Sequence, residues 1–293
     1  MNHIRFFRRG FLSLLFCCLI LLSQSPANAS LNKAGGSRAL SARSAIIIDA
    51  ATGKTIYARA PDVQRQPAST IKVLTGMIAL KTLRNGEMVP VSAKAAQQQP
   101  SKVFLEDNKK YSANDLINAV LLASANDASV ALAEKIAGSE QSFALKMTNF
   151  ARQCGATRTV CKTATGLTAQ GQQTTARDLA IIFRHAMSYP PFAARMKQTN
   201  AKTAEGKTLR NHNKALWQVQ GSIGGKTGFT NAARQTYVGK FKRGNEEIIV
   251  AIMGSETMWA DLKMLVEYGF DQKRSHQLAA APGTQSRFEN DEI

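Results

Sequence analysis

The chain has 293 residues, of which 44% are hydrophobic and 20% charged, a composition that excludes a disordered or fibrous protein and suits a globular core. Lysine plus arginine outnumber aspartate plus glutamate by 38 to 20, which gives a net charge of +18, or +15 without the three arginines of the first 29 residues. That surplus allows peripheral attraction to an anionic cell-wall or membrane surface, and equally fits a diffuse basic surface without a dedicated partner.

The first 29 residues have the pattern of a cleaved secretory signal. Three arginines precede an apolar run at 11–22, and Ala27-Asn28-Ala29 supplies the small residues of a cleavage site. The run is shorter than the roughly 20 residues that a membrane-spanning helix needs. Arg8-Arg9 also resembles a twin-arginine signal, so the export route stays open. We expect a protein that is exported from the cytoplasm, is cleaved near Ala29 and binds no nucleic acid.

After the signal, we expect a flexible stretch at 30–40, one domain at 41–272 and a disordered tail at 273–293. The domain opens with two predicted strands, at 44–49 and 55–60. After Pro67, apolar residues recur with helical spacing, and the helix is predicted to end near Asn85-Gly86. The segment 96–101 has the composition of a loop.

The middle of the chain is predicted to be helical. Residues 112–115 and 175–178 have the pattern of capping boxes, which predict helices at 112–122 and 175–187. Two more helices are expected at 127–137 and 140–154.

The last third has strand composition at 222–227, 235–241 and 248–253, followed by an amphipathic helix at 259–270. Residues 242–245 indicate a hairpin between the last two strands. Strands at both ends of a chain with helices between them predict an α+β fold, an antiparallel sheet flanked by helices.

One motif indicates a nucleophilic serine. Ser69-Thr70-Ile71-Lys72 opens the first predicted helix, so Lys72 lies one turn after Ser69 on the same face. An amine at that spacing reaches the serine hydroxyl, and the helix N-terminus offers N–H groups to a developing negative charge. Burial and a second nearby cation would lower the pKa of Lys72 enough for it to act as a base.

Two further segments supply matching chemistry. Ser124-Ala125-Asn126 lies between two predicted helices, where it is either a helix cap or a turn that presents a hydroxyl and an amide. Lys226-Thr227-Gly228 falls on a predicted strand, where Lys226 and Thr227 could bind a carboxylate and Gly228 would let substrate backbone approach. Lys226 is also the candidate second cation near Lys72.

The order Ser-x-x-Lys, Ser-x-Asn, Lys-Thr-Gly resembles penicillin-binding proteins and serine β-lactamases. Three surrounding stretches resemble the low-molecular-weight D-alanyl-D-alanine carboxypeptidase family over about residues 41–270, namely LLASANDASVALA at 121–133, TGL at 165–167 with TARDL at 175–179, and GGKTGFT at 224–230. The resemblance implies a β-lactamase/transpeptidase-like fold, a five-stranded antiparallel sheet with a helical subdomain. It also implies a bacterial cell-wall enzyme, periplasmic or secreted, that is active in peptidoglycan biosynthesis and cell shape.

The resemblance implies a role for each motif residue. Ser69 would attack the carbonyl between two D-alanines of a peptidoglycan stem peptide, Lys72 would accept its proton, and Ser124 would relay a proton to the leaving amine. The substrate would be bound by Asn126, Lys226, Thr227, Gly228 and Phe229, with the N–H groups of Ser69 and Phe229 as the oxyanion hole. Water would release the acyl-enzyme, and β-lactams would be covalent inhibitors.

Two departures from many relatives leave the substrate preference open. The chain ends soon after its last predicted helix, without a second β-rich domain, as in short endopeptidases of the family. Phe229 follows the Lys-Thr-Gly triplet where relatives often have histidine, and His212 stands where some have arginine. A D,D-endopeptidase that cuts cross-links is therefore the alternative to a carboxypeptidase.

A β-lactamase and a non-catalytic penicillin-binding sensor both fit the sequence less well. A class A β-lactamase uses a glutamate to activate water, but Asp178 is the one carboxylate between Gln141 and Ala204. A sensor that only binds penicillin would not need every catalytic group to be present.

No metal or cofactor is expected, because the sequence contains neither a zinc-binding spacing nor a His-Glu-x-x-His helix. Cys154 and Cys161 are seven residues apart in an exported protein, and the sequence leaves open whether they form a disulfide.

Overall fold

A computed structural model of the chain describes residues 39–280, with side chains through residue 275. The predicted signal at 1–29, most of the stretch at 30–40 and the end of the tail, at 281–293, lie outside the described residues. Within them, Leu40 is already buried at 7% exposure, so packing begins one residue before the predicted domain boundary.

Along the described chain, two strands come first, helices with short strands between them follow, and three long strands and a final helix come last. The strands are β1 Ser44–Asp49, β2 Thr55–Arg59, β3 Met88–Pro90, β4 Lys110–Ser112, β5 Asn200–Lys202, β6 Thr208–Arg210, β7 Ser222–Thr230, β8 Arg234–Arg243 and β9 Glu246–Ser255. A 3-10 turn, Ala68–Ile71, precedes the helices α1 Lys72–Thr82, α2 Ala93–Ala96, α3 Ala113–Leu121, α4 Asn126–Ala137, α5 Glu140–Gln153, α6 Ala176–Met187, α7 Pro190–Met196, α8 Ala215–Gln218 and α9 Met258–Ala280.

The central sheet has five antiparallel strands in the order β2-β1-β9-β8-β7, which confirms the predicted fold class. Its middle strand, β9, is buried on both faces because α9 packs on one side and α6 on the other. This double cover explains the uninterrupted apolar run at 248–253. β7 forms one edge of the sheet, so one side of its backbone is free of strand pairing.

The helices α1, α3, α4 and α5 pack together as the predicted helical subdomain. Helix α4 is rich in alanine, and its buried face belongs to the same apolar core as Leu74 and Leu121. Small side chains let the helices approach closely; a Cβ at Gly76 would lie 2.5 Å from a methyl of Leu121. The 3-10 turn before α1 contacts β7, so the start of α1 lies at the junction of sheet and helices.

The predicted tail is the clearest correction. Helix α9 continues to Ala280, so the chain is helical from 273 to 280 where disorder was expected. Lys273 explains part of the extension, because its ammonium pairs with Asp49 and Glu246 and ties this turn to the sheet. The following Leu278-Ala279-Ala280 are strong helix formers.

Smaller differences concern helix ends and short elements. Helix α3 begins where the capping box was predicted, but the Ser112 side chain makes no capping hydrogen bond. At Thr175 the predicted cap is present, since its side chain accepts a hydrogen bond from the N–H of Asp178. The short strands β3 to β6 were not predicted, because three residues are too few for a periodic signal. None of the helices described here is both long and apolar enough to cross a lipid bilayer.

Candidate active site

Ser69 lies on the 3-10 turn that leads into α1, and neighbouring hydroxyls fix that turn. Pro67 presents its carbonyl to the side chains of Thr70, at 2.6 Å, and Thr236, at 3.0 Å. Thr236 belongs to β8, so the turn is attached directly to the sheet. Ser69 is thus held at the boundary between the sheet and the helices.

Lys72 is completely buried beneath Ser69, with 0% exposure. Its Nζ lies 2.9 Å from Ser69 Oγ, 2.7 Å from Asn126 Oδ1 and 2.5 Å from the Thr165 carbonyl. A neutral amine has two N–H donors and one lone pair. It can therefore donate to Asn126 and Thr165 and accept the proton of the Ser69 hydroxyl, which is the arrangement that a general base requires.

Burial lowers the pKa of Lys72 well below its ordinary value, and the positive charge of Lys226 lowers it further. Asp127 and Glu140 act in the opposite direction and are weaker. Among the described residues, no ion pair involves Lys72. The structure thus contains the two causes that the sequence suggested for a neutral lysine.

The second motif forms a turn and not a side-chain cap. Ser124 has φ of 60°, and helix α4 begins at Asn126 without a side-chain capping bond. Asn126 uses its amide on two sides, since Oδ1 accepts from Lys72 and Nδ2 donates to the Gln99 carbonyl at 2.8 Å. The backbone N–H of Asn126 also donates to the Ser101 carbonyl, at 2.7 Å, so the motif holds the loop at 99–101 in place.

The third motif lies on the edge strand β7. Lys226 is 1% exposed, and its Nζ lies 2.8 Å from Ser124 Oγ and 3.0 Å from the Thr227 carbonyl. Burial lowers the pKa of Lys226 to about 7. Ser124 and Lys226 therefore form a second hydroxyl–amine pair, next to the pair of Ser69 and Lys72.

Two glycines allow these elements to meet. A Cβ at Gly228 would lie 2.7 Å from the backbone nitrogen of Ser69, so glycine lets β7 approach the nucleophile's turn. Gly228 was predicted to make room for substrate backbone. The close approach that the structure shows is that of the turn carrying Ser69. Gly166 has φ of +80°, and its Cβ would lie 2.0 Å from the Ala68 carbonyl. This contact positions the preceding carbonyl, that of Thr165, against Lys72.

Ser69, Ser124, Asn126, Thr227, Gly228 and Phe229 line one open cleft of about 450 Å³. Lys72 and Lys226 lie beneath its floor, so all eight predicted site residues meet at one place. The Phe229 side chain is 57% exposed at the rim. His212 also borders the cleft with an exposed side chain, and its partial desolvation there, followed by the charges of Lys226 and Lys72, lowers its pKa to about 4. His212 is therefore neutral near pH 7.

The sequence did not reveal three groups that shape the site. The Thr165 carbonyl accepts from Lys72, although its stretch was noted only for its resemblance. Asp127 is fully buried and accepts hydrogen bonds from the N–H groups of Val103 and Leu105, which fixes the loop on one side of the cleft. Glu140 accepts from the N–H of Ala164 and pairs with Lys94.

The remaining candidate groups have structural positions. Asp178 accepts from the N–H of Arg158 and the hydroxyl of Thr159, so its carboxylate is engaged in hydrogen bonds. Cys154 and Cys161 are free, and burial raises their thiol pKa values to about 11 and about 12. In the range 39–275 no three His, Cys, Asp or Glu side chains are grouped closely enough to hold a metal ion.

Comparisons with known proteins place the chain among peptidases. A model of the peptidase S11 family, D-alanyl-D-alanine carboxypeptidase, matches residues 30–257. The carboxypeptidase DacB2 of Mycobacterium tuberculosis is 36% identical over 236 residues, which are 77% of this chain and 81% of that protein.

Two solved structures have the same fold. The crystal structure of a D-alanyl-D-alanine carboxypeptidase from Mycobacterium tuberculosis superposes with a TM-score of 0.75 at 34% identity, over 78% of this chain and 91% of that one. Penicillin-binding protein D2 of Listeria monocytogenes, in its cefotaxime-bound form, gives a TM-score of 0.72 at 28% identity, over 80% of this chain and 98% of that one.

Proposed function

This chain belongs to the D-alanyl-D-alanine carboxypeptidase family, peptidase S11, and from that premise we propose that it is a serine carboxypeptidase that removes the terminal D-alanine of peptidoglycan stem peptides. The observation that carries the proposal is the hydrogen bond between Ser69 and a buried Lys72 whose pKa is lowered. A hydroxyl paired with a neutral amine is an activated nucleophile.

Acylation begins when Ser69 Oγ attacks the carbonyl carbon between the two D-alanines. Lys72 Nζ accepts the hydroxyl proton, and the negative charge that develops on the carbonyl oxygen is stabilised by the N–H groups of Ser69 and Phe229. Loss of one such donor typically costs roughly 3 kcal/mol of transition-state stabilisation.

The leaving amine needs a proton, and the pair of Ser124 and Lys226 provides the path. Ser124 Oγ donates its proton to the amine nitrogen as the C–N bond breaks, and Lys226 Nζ replaces that proton through the 2.8 Å hydrogen bond. Lys226 and Thr227 also bind the terminal carboxylate. The negative charge of that carboxylate stabilises the protonated form of Lys226. Asn126 holds the substrate amide. Water then attacks the acyl-enzyme and gives its proton through Ser124 to Lys226, while Lys72 returns to Ser69 Oγ the proton that it accepted. The shortened peptide leaves, and the Ser69 hydroxyl is restored.

The same nucleophile would open a β-lactam ring and remain acylated. The cefotaxime-bound neighbour from Listeria, which has the same fold, supports this part of the proposal. We place the enzyme outside the bacterial cytoplasm, after removal of the signal at 1–29, where it would act in wall biogenesis and cell shape. The net charge of +15 of the remaining chain would favour peripheral attraction to an anionic wall or membrane surface.

The test is the release of free D-alanine from a pentapeptide ending in D-Ala-D-Ala. We expect release by the purified protein and none by Ser69→Ala, with β-lactam labelling lost in the same variant. A cross-linked muropeptide dimer should remain intact, because the relatives that the chain matches are named carboxypeptidases. Absence of D-alanine release, or β-lactam labelling that survives in Ser69→Ala, would contradict the proposal.

A further inference from the structure

A second depression, of about 730 Å³, lies beside the active cleft and shares His212 with it. Its walls come from three short elements whose sequences carry no periodic signal. Asn200 lies on β5, Arg210 on β6 and Trp217 on α8. We call this depression the Trp217 groove. Because His212 borders both hollows, the Trp217 groove continues the active cleft.

The Trp217 groove combines an exposed aromatic ring with unpaired positive charge. The Trp217 side chain is 56% exposed, although Ala215, two residues earlier on α8, is buried. Arg210 and Lys214 are both exposed and take part in no ion pair among the residues that the structure describes. No carboxylate lines the groove.

These groups suit one kind of ligand. The C–H face of a sugar ring packs on an indole, which offers a large flat apolar surface with a polar edge. An arginine and a lysine nearby bind carboxylates, and arginine can do so in a bidentate manner. The Asn200 side chain adds an amide for hydroxyl or acetamido groups. A saccharide polymer that carries carboxylates meets all three requirements.

Another exposed aromatic residue gives an instructive contrast. Phe104 is 71% exposed between the ammonium groups of Lys102 and Lys207. The depression beside Phe104, however, is lined by the carboxylates of Glu106, Asp115 and Glu205, which would repel an anionic ligand. The Lys207 ammonium is also occupied by the Val103 carbonyl. The acidic polymer therefore fits the Trp217 groove and not the Phe104 depression.

We infer that the Trp217 groove binds a neighbouring strand of the anionic wall glycopeptide, so that the enzyme acts preferentially on polymeric peptidoglycan. The position of the groove relative to the bound substrate follows from the proposed function, on which this inference rests. A terminal carboxylate at Lys226 and Thr227 places His212 at the leaving-group end of the substrate. The groove begins there, and it would be filled by wall polymer adjacent to the stem peptide being cut.

Binding is tested apart from catalysis in the Ser69→Ala background. The readout is co-sedimentation with insoluble purified peptidoglycan. Adding Trp217→Ala, or Arg210→Gln with Lys214→Gln, should weaken binding about tenfold. Two matched controls should bind like the parent, namely Phe104→Ala, and Lys146→Gln with Arg152→Gln, which removes two exposed cations of α5.

A kinetic measurement complements the binding experiment. In the active enzyme, Trp217→Ala should lower the ratio of kcat/KM for peptidoglycan to kcat/KM for free pentapeptide about tenfold, mainly through KM. Unchanged sedimentation of the Trp217→Ala protein, or an equal loss in the control variants, would overturn the inference. The inference would also be overturned if Trp217→Ala bound peptidoglycan like the parent and lost only its binding to anionic phospholipid vesicles. A failure of the proposed function would instead abolish D-alanine release and leave the sedimentation result intact.

Discussion

Two buried polar clusters in this protein differ in the partners that surround their ionisable side chains. The Asp261 cluster joins the start of the described chain to α9; there the carboxylate of Asp261 accepts from the N–H and hydroxyl of Ser41, at 3.0 and 2.6 Å, and from the Ser255 hydroxyl, at 2.7 Å. The active site buries two amines, Lys72 and Lys226, without a paired carboxylate among the described residues.

The difference separates a polar group that holds the structure together from one that takes part in proton transfer. A buried carboxylate that accepts several hydrogen bonds fixes the groups that donate them. A buried amine next to a second amine is destabilised in its charged form, so its proton is easily lost and regained. In this protein the first arrangement ties chain segments together, and the second one provides proton transfer.

The largest expected effect is that of Lys72→Arg. A guanidinium keeps its proton at any ordinary pH, so the variant places a permanent cation at this position and has no base. We expect the rate of acylation by a fluorescent penicillin to fall by about 10⁴-fold. The matched control, Lys263→Arg on an exposed position of α9, should acylate at the parental rate. A fall of the acylation rate by less than about tenfold would show that Lys72 is not the base.

Lys226→Met should separate activity from stability. We expect D-alanine release to fall about 10³-fold, because carboxylate binding and proton relay are both lost. The free energy of unfolding should rise by about 1–3 kcal/mol near pH 7, because a buried amine is replaced by an apolar chain.

The pH dependence gives the sign of that stability effect. Folding lowers the pKa of Lys226 from 10.5 to about 7, so between these values the unfolded state binds more protons than the folded state. The stability cost of Lys226 is therefore greatest below pH 7 and fades as the pH rises toward 10.5. Thermal unfolding at several pH values should show this dependence weakened in Lys226→Met. An identical pH dependence in both proteins would contradict the account.

Gly166→Ala tests how the Thr165 carbonyl is positioned. The new methyl would overlap the Ala68 carbonyl, so the loop must move away from Lys72 and we expect acylation to slow about 10²-fold. Gly86→Ala is the control, because Gly86 has nearly the same φ, +81°, but nothing within 4 Å of the added carbon. Both variants share the backbone strain of roughly 1 kcal/mol, and only the first should lose activity. Equal acylation rates in the two variants would rule out the positioning role.

Asp261→Asn should have the smallest effect on catalysis. The amide cannot accept all the hydrogen bonds of the carboxylate, so we expect the free energy of unfolding to fall by about 2 kcal/mol. Acylation per folded molecule should stay at the parental value, since Asp261 acts on chain packing alone. Chemical denaturation and penicillin titration measure the two quantities separately. A reduced acylation rate of fully folded protein would remove the distinction between the clusters.

The sequence predicted the regular parts of the fold well, for a physical reason. The strand at 44–49 was predicted with the bounds it has and the helix at 127–137 to within one residue, because long runs of buried residues leave a periodic pattern. The short strands β3 to β6 leave no such pattern. The prediction of disorder at 273–280 was wrong, because the ion pairs of Lys273 join residues more than twenty positions apart.

For the site, the motifs predicted which side chains would meet and that Lys226 would be the second cation near Lys72, but not which backbone groups complete the site. Residue types at Ser69, Ser124 and Lys226 are visible in the sequence. The Thr165 carbonyl is a backbone group that any residue could supply, and its position depends on the contact of Gly166 with Ala68. The complete burial of Lys72 is likewise a property of the packed helices and sheet.

The central claim is that burial and the neighbouring Lys226 lower the pKa of Lys72 well below the ordinary lysine value, so that Lys72 can act as the base. The most direct measurement is NMR titration of its ¹⁵N-labelled Nζ, identified by its absence in Lys72→Arg. We predict a pKa well below the ordinary lysine value of 10.5, which rises in Lys226→Met because a neighbouring positive charge is removed. A pKa near 10.5 in both proteins would contradict the account.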